Sequence, residues 1–224
     1  MKALHRLILT SRAYRMASTP DPENARRDPD NVALWRMPSR RMEAEVVRDN
    51  LLYVSHALDE TRGGPEIDHN LGLTSRRRSL YLRHAAEKQA EFLQLFDGPS
   101  VTECYERKPS VLPQQALALA NSSLAQNQAR QLARNLDARA GKDTARFITE
   151  AFLQILVRRP TPQERALCTA FLTEQAQRLR RQAGVKNVAE TPGSLEKPSP
   201  DPDLRARENL ILVLFNHNDF VTIR

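Results

Sequence analysis

A mainly α-helical domain is what this sequence predicts: an irregular bundle of six or seven helices with a minor two-stranded β element. Three observations lead there. The 224 residues hold seven glycines and 5% aromatic side chains, too few for a β-sandwich, whose turns and strands consume both. Apolar residues recur at steps of three and four in several long stretches. Helix start signals stand at the heads of those stretches, the clearest being Thr161-Pro162-Gln163-Glu164, with a capping Thr, a Pro in the first turn and a Glu three positions on.

In chain order, Lys2 to Met16 places Leu4, Leu7 and Ile8 on one helical face before the breaker run Ser18-Thr19-Pro20-Asp21-Pro22. A turn-rich loop follows, with Asp28-Pro29-Asp30-Asn31 as turn chemistry and Trp35, the single tryptophan, expected to anchor it to the core. Ser39 is the expected cap of a second helix, in which Met42, Val46, Val47, Leu51, Val54 and Leu58 form the apolar stripe up to Gly63-Gly64-Pro65. Ser79 to Arg83 alternates and reads as a strand, paired with Val101 to Tyr105 beyond a helical stretch Ala85 to Phe96. Pro113 to Ala140 reads as one long helix closed by Gly141, with Leu117, Leu124, Ala133 and Leu136 inward; Asp143 caps the next, which turns Phe147, Ile148 and Phe152 inward. The capping box at Thr161 opens a helix that runs through Leu167, Phe171 and Leu179. The organisation expected is a helical domain over 1–183, a Pro-rich mobile loop over 184–203, and a C-terminal helix and tail over 204–224 that pack back on the helical domain.

Composition excludes several functions. Thirty-four basic against 27 acidic residues give a net charge of +7, but the surplus is spread: 18 against 16 in residues 1–110, 7 against 3 in 111–160, and 9 against 8 in 161–224. Twenty-eight of the basic residues are Arg, which pairs with carboxylates as readily as with phosphate. No nucleic-acid reading motif accompanies them, so a specific nucleic-acid partner is not expected and a nucleic-acid binder ranks last among the functional readings. Cys104 and Cys168 stand far apart with no Cys-x-x-Cys pair, so no metal and no covalent haem is expected on this chain. His84-x-x-Glu87 and Asp68-His69 are isolated fragments of a ligand set. No apolar run is long enough for a membrane span, and no signal-peptide core can be drawn in the first residues, which makes the chain cytoplasmic by default.

The densest charged constellation is Arg40 to Glu45 with Arg48 and Asp49. Arg41, Glu45, Arg48 and Asp49 could line a polar cleft for an anionic or sugar ligand, with a carboxylate available as base. The structural alternative, a network holding the Asp28 to Trp35 loop, is favoured, because ion pairs perturb charges as readily as active sites do. Arg77 and Arg78 beside Tyr81 form a second candidate surface for phosphate or polysaccharide, with edge protection of a strand as its structural alternative.

Taken together, Leu4-His5-Arg6-Leu7 with Ser11 and Tyr14-Arg15, Asp28-Pro29-Asp30-Asn31 with Leu34-Trp35-Arg36, Arg40-Arg41-Met42-Glu43-Ala44-Glu45 with Arg48-Asp49, Gly63-Gly64-Pro65, Arg77-Arg78-Ser79-Leu80-Tyr81, Phe96-Asp97, Gln115-Ala116-Leu117, Arg158-Arg159-Pro160-Thr161 and Asn216 to Phe220 resemble the planctomycete-specific domain of unknown function. That domain usually forms the C-terminal part of larger proteins that also carry a planctomycete cytochrome-c-like domain. The resemblance implies a C-terminal piece of an exported, redox-linked bacterial protein, with haem c confined to an upstream domain. It carries over no catalytic residue. The expected function is a non-catalytic ligand-binding or interaction domain whose partner is an upstream cytochrome-c-like domain or an anionic polysaccharide. A polysaccharide-active enzyme using Glu45, Arg48 and Asp49 is the alternative.

Overall fold

The computed structural model describes residues 1–102, 110, 113–181 and 195–223. Of the described residues 58% are helical, in three 3₁₀ turns and nine α-helices, of which seven have seven residues or more. The chain divides into two compact units, Met1–Met42 with Val221–Arg224, and Glu43–Phe220.

The first unit holds α1 (Lys2–Thr10), α2 (Pro22–Arg27) and strand β1 (Arg40–Arg41), which pairs antiparallel with β2 (Thr222–Ile223). Asp21 caps α2 by accepting from the Glu23 and Asn24 amides. Trp35 stays with its own loop, its Nε1 donating to the Asp28 carbonyl at 2.9 Å, while the Asp28 carboxylate takes the Val32 and Ala33 amides. The two-stranded element expected near Ser79 is therefore real but lies elsewhere. Ser79–Tyr81 is a 3₁₀ turn, and part of its expected partner, residues 103–105, falls outside the described residues, as do Cys104 and residues 184–194 of the expected loop.

In the second unit, α3 spans Ala44–Val54. Its start is four residues later than the Ser39 cap implied, because Arg40 and Arg41 are engaged in the β ladder and the Met42 amide in a bond to Val221. Val47, Leu51, Leu52 and Val54 are buried, whereas Val46 is 42% exposed and leaves the stripe. Only Glu91–Leu95 of the expected Ala85–Phe96 helix is helical (α4). The long helix expected over 113–140 is two, α5 (Pro113–Asn121) and α6 (Ser123–Ala140). Ser122 sits between them with extended backbone, its Oγ accepting from the Ala125 amide. A side chain that can cap competes with helix continuation, and the break leaves Leu117 58% exposed.

α7 (Thr144–Leu156), α8 (Pro162–Arg181) and α9 (Pro202–Phe215) complete the unit. Asp143 caps α7 as expected, and the α8 box closes reciprocally, Glu164 N to Thr161 Oγ1 at 3.2 Å and Thr161 N to Glu164 Oε2 at 2.7 Å. α8 turns Leu172 and Ala176 inward, and Leu167 is 63% exposed. α9 packs against α6 and α8, and the core is built from Leu132, Leu136, Phe147, Ile148, Phe152, Ile211 and Phe215.

Candidate functional site

Arg48 is fully buried on the core-facing side of α3. All three nitrogens of its guanidinium are bonded: Nε donates to the Gly72 carbonyl at 2.6 Å, Nη1 to the Arg77 carbonyl at 2.9 Å and to Ser79 Oγ at 3.2 Å, and Nη2 to the Ser75 carbonyl at 2.5 Å. Burial lowers its pKa, and the neighbouring Asp49 carboxylate, 3.6 Å away, offsets only part of that. Asp49 Oδ1 accepts from both the Ser79 amide (2.7 Å) and its hydroxyl (2.6 Å), and Oδ2 lies 3.5 Å from Arg78 Nε. One helix turn thus clamps residues 72–79 with a cation behind and an anion in front. The network expected at Arg48 and Asp49 exists, but it holds residues 72–79 rather than the Asp28–Trp35 loop, which ties itself down.

Arg77 serves the next loop. Its Nη2 donates to the carbonyls of Thr61 (2.9 Å) and Gly63 (2.6 Å) while its guanidinium lies 4.1 Å over the Tyr81 ring. Tyr81 in turn accepts the Gly63 amide at 2.9 Å. Gly63 and Gly64 have φ of 78° and 93°, and a Cβ on Gly64 would stand 3.1 Å from Arg77 Nη1, so the Gly-Gly pair is what allows this close approach.

Between α3 and the segments so fixed runs an open cleft of about 420 Å³. Glu45, Asp49 and Glu60 supply its carboxylates, Arg62 and Arg78 its guanidiniums, and Tyr53 and Tyr81 its rings, with Val46, Leu58 and Leu80 as apolar floor. Of the residues singled out from sequence, Glu45, Asp49, Arg78 and Tyr81 line the cleft. Arg48 and Arg77 build its walls from behind, and Arg41 belongs to β1 of the first unit. Sequence reasoning missed Asn50, Tyr53, Glu60 and Arg62. A signal existed for two of them: Val46, Asn50 and Tyr53 form their own i, i+4, i+7 row beside the buried stripe, and Tyr53 is 62% exposed.

Three further charged groups serve packing. Arg158 holds Glu164 bidentately (2.8 and 2.6 Å) and Asp219 at 2.9 Å, joining the α7–α8 corner to the end of α9; the arginine pulls Glu164 down to about 2. Glu208 is buried near Arg134 and Arg205 and accepts the Ser199 amide; desolvation pushes its carboxyl up against those partners. Asp97 gathers the Ser110 amide and hydroxyl at 2.7 Å each and Gln115 Nε2 at 3.3 Å. Cys168 is half-buried, and burial, then Glu164, pushes its thiol up. Among the described residues no group of three His, Cys, Asp or Glu could hold a metal ion, and no helix is long and apolar enough to cross a membrane.

The family model described as "PSD1: Protein of unknown function (DUF1553)" matches residues 1–172, most of the chain and the whole of the cleft. No curated protein and no solved structure matches. The resembling residues Asn216 to Phe220 lie outside the matched span.

Proposed function

Since the chain belongs to the family of proteins of unknown function DUF1553, we propose its function from the cleft: a non-catalytic ligand-binding or interaction domain whose binding surface lies between α3 and residues 58–81. The observation that carries this reading is the engagement of the charged cluster. Arg48, Arg77 and Oδ1 of Asp49 are all committed to bonds within the walls. A carboxylate that already accepts two hydrogen bonds and faces an arginine is a poor general base, whereas walls fixed in this way form a pre-organised surface.

The lining suits a hydroxyl-rich ligand that stacks on an aromatic ring, such as a polysaccharide. Three carboxylates against two guanidiniums weigh against a strongly anionic one. We extend the proposal to context: the domain works within a larger exported, redox-linked planctomycete protein, where a cytochrome-c-like neighbour carries the haem and is the other candidate partner. The sequence resemblance alone supports that part.

Affinity electrophoresis of the full chain in gels containing soluble neutral glucan or alginate tests the cleft. Retardation by the glucan, abolished by Tyr53→Ala with the melting temperature kept, is the expected result. If wild-type protein instead releases reducing ends from the glucan and Glu45→Gln stops the release while binding persists, the non-catalytic reading is wrong and the hydrolase alternative replaces it.

A further inference from the structure

The first unit carries a surface that the cleft does not use. α1 has no buried residue. Leu4, Leu7 and Ile8, at 51%, 69% and 48% exposure, share one arc of the helix through their three- and four-residue spacing. Lys2 and Arg6 occupy the opposite arc, His5 and the half-exposed Leu9 lie beside them, and the turn after α1 adds Arg12 and Arg15. Residues 1–20 contain one Lys and three Arg and no Asp or Glu. Tyr14 and Leu34 extend the apolar surface around a cavity of about 290 Å³. Leu34 is 60% exposed and holds a left-handed φ of 52°. A conformation that costs a non-glycine residue free energy here keeps an apolar side chain in the open, which is a mark of a working surface.

We propose that this face docks on an anionic lipid surface. The charge distribution favours lipid over a protein occupant. A protein covering the apolar arc would leave the opposite arc in water and put no demand on the sign of its charges. A helix lying among lipid headgroups keeps all its cations within a Debye length of phosphates, and the long Lys and Arg stems reach around it toward them. Four cations and no carboxylate in one short stretch match that demand. The attachment is peripheral and reversible: three aliphatic side chains reach the acyl boundary, and the cations hold the helix there until salt screens them.

Co-sedimentation of the full chain with vesicles tests the proposal. Binding to phosphatidylcholine vesicles containing about 30% phosphatidylglycerol is expected, with none to pure phosphatidylcholine and release at about 0.5 M salt, more than three times the physiological ionic strength. Leu7→Gln should weaken partitioning about tenfold, and Arg6→Gln with Arg12→Gln about fivefold for each charge removed. All three side chains are exposed, so unchanged circular dichroism and melting temperature confirm that each variant folds. Charge removal elsewhere, as in Arg178→Gln, should leave partitioning unchanged. Two results overturn the proposal: no sedimentation with anionic vesicles, or sedimentation that Leu7→Gln leaves unaltered, which is mere polycation behaviour. Concentration-dependent self-association of the wild type that Leu7→Gln abolishes, with vesicles ignored, overturns it in favour of a protein occupant.

Discussion

Replacing Arg48 by alanine strips residues 72–79 of the group that organises them. The substitution removes donors to three carbonyls, those of Gly72, Ser75 and Arg77, and to Ser79 Oγ. It also leaves Asp49, whose side chain is 16% exposed, without the cation 3.6 Å away. Each acceptor left unsatisfied in the interior costs about 1–3 kcal/mol. The Ser75 and Arg77 bonds are only part-buried, so water recovers some of that, and the net loss is about 3–5 kcal/mol, the usual range for breaking a buried charged network from one side. Against a typical total of about 5–15 kcal/mol this is a large share. Urea denaturation followed by far-ultraviolet circular dichroism reads it as a fall in midpoint at constant slope. Hydrogen exchange at the Ser79 and Leu82 amides should accelerate in step. Arg48→Lys keeps the charge but not the fork, and should recover less than half of the loss. A loss below about 1 kcal/mol for Arg48→Ala, with amide protection over residues 72–82 unchanged, would refute the scaffold role of this arginine and return it to the list of ligand-binding candidates.

Other outcomes follow from the same geometry. Glu164, held at about 2 against an ordinary 4.5, contributes stability that is complete above pH 4.5 and is lost as pH falls toward 2; its quarter-exposed side chain limits the contribution to about 1–2 kcal/mol after solvent screening. Glu164→Gln should therefore lower stability at pH 7 and flatten its pH dependence below 4.5, measured by melts across that window. Glu208 is shifted the other way, so whatever it contributes is present below its unfolded value of 4.5 and is lost as pH rises through the higher folded value. Glu208→Gln, which keeps an acceptor for the Ser199 amide, should thus remove a decline in stability above pH 4.5 in the same melts. Val157, a β-branched residue at φ 55° and 85% exposed, follows α7 in a left-handed conformation; Val157→Gly relieves that strain and should raise stability by about 1 kcal/mol in urea titrations. Ser122→Ala removes the α6 cap and should lower stability by about 1 kcal/mol.

Features written in adjacent residues were legible without a structure. The capping box at Thr161, the Asp143 cap and the left-handed close at Gly141 all appear where the residues imply them, because each is decided within one helix turn. The break at Ser122 is equally local, but the Ala, Leu and Gln composition around it favours helix on both sides and masks it. Ser79 to Arg83 misled for a different reason. Its alternation comes from Ser79 turning inward to Asp49 and Leu82 into the core, with Leu80 left 58% exposed, a pattern a 3₁₀ turn over a helix produces as well as a strand does. In the cleft, Glu45, Asp49, Arg78 and Tyr81 could be named in advance because they are dense and charged or aromatic. Glu60 and Arg62 could not, since only the loop closure by Arg77 and Tyr81 brings them across from α3.

By itself, the sequence determined the helical class, the starts of α7 and α8 and the identity of the charged clusters, since propensity, caps and three-to-four periodicity act over a few residues and need no distant partner. The tertiary structure decided what each charge is for. Arg48 and Arg78 are chemically alike and thirty positions apart, yet one is sealed on the inner face of α3 with all three nitrogens bonded and the other stands half exposed at the mouth of the cleft. That difference is set by how chain segments distant in sequence pack and exclude water, and burial alone converts an arginine from a surface that can meet a ligand into the frame that holds one.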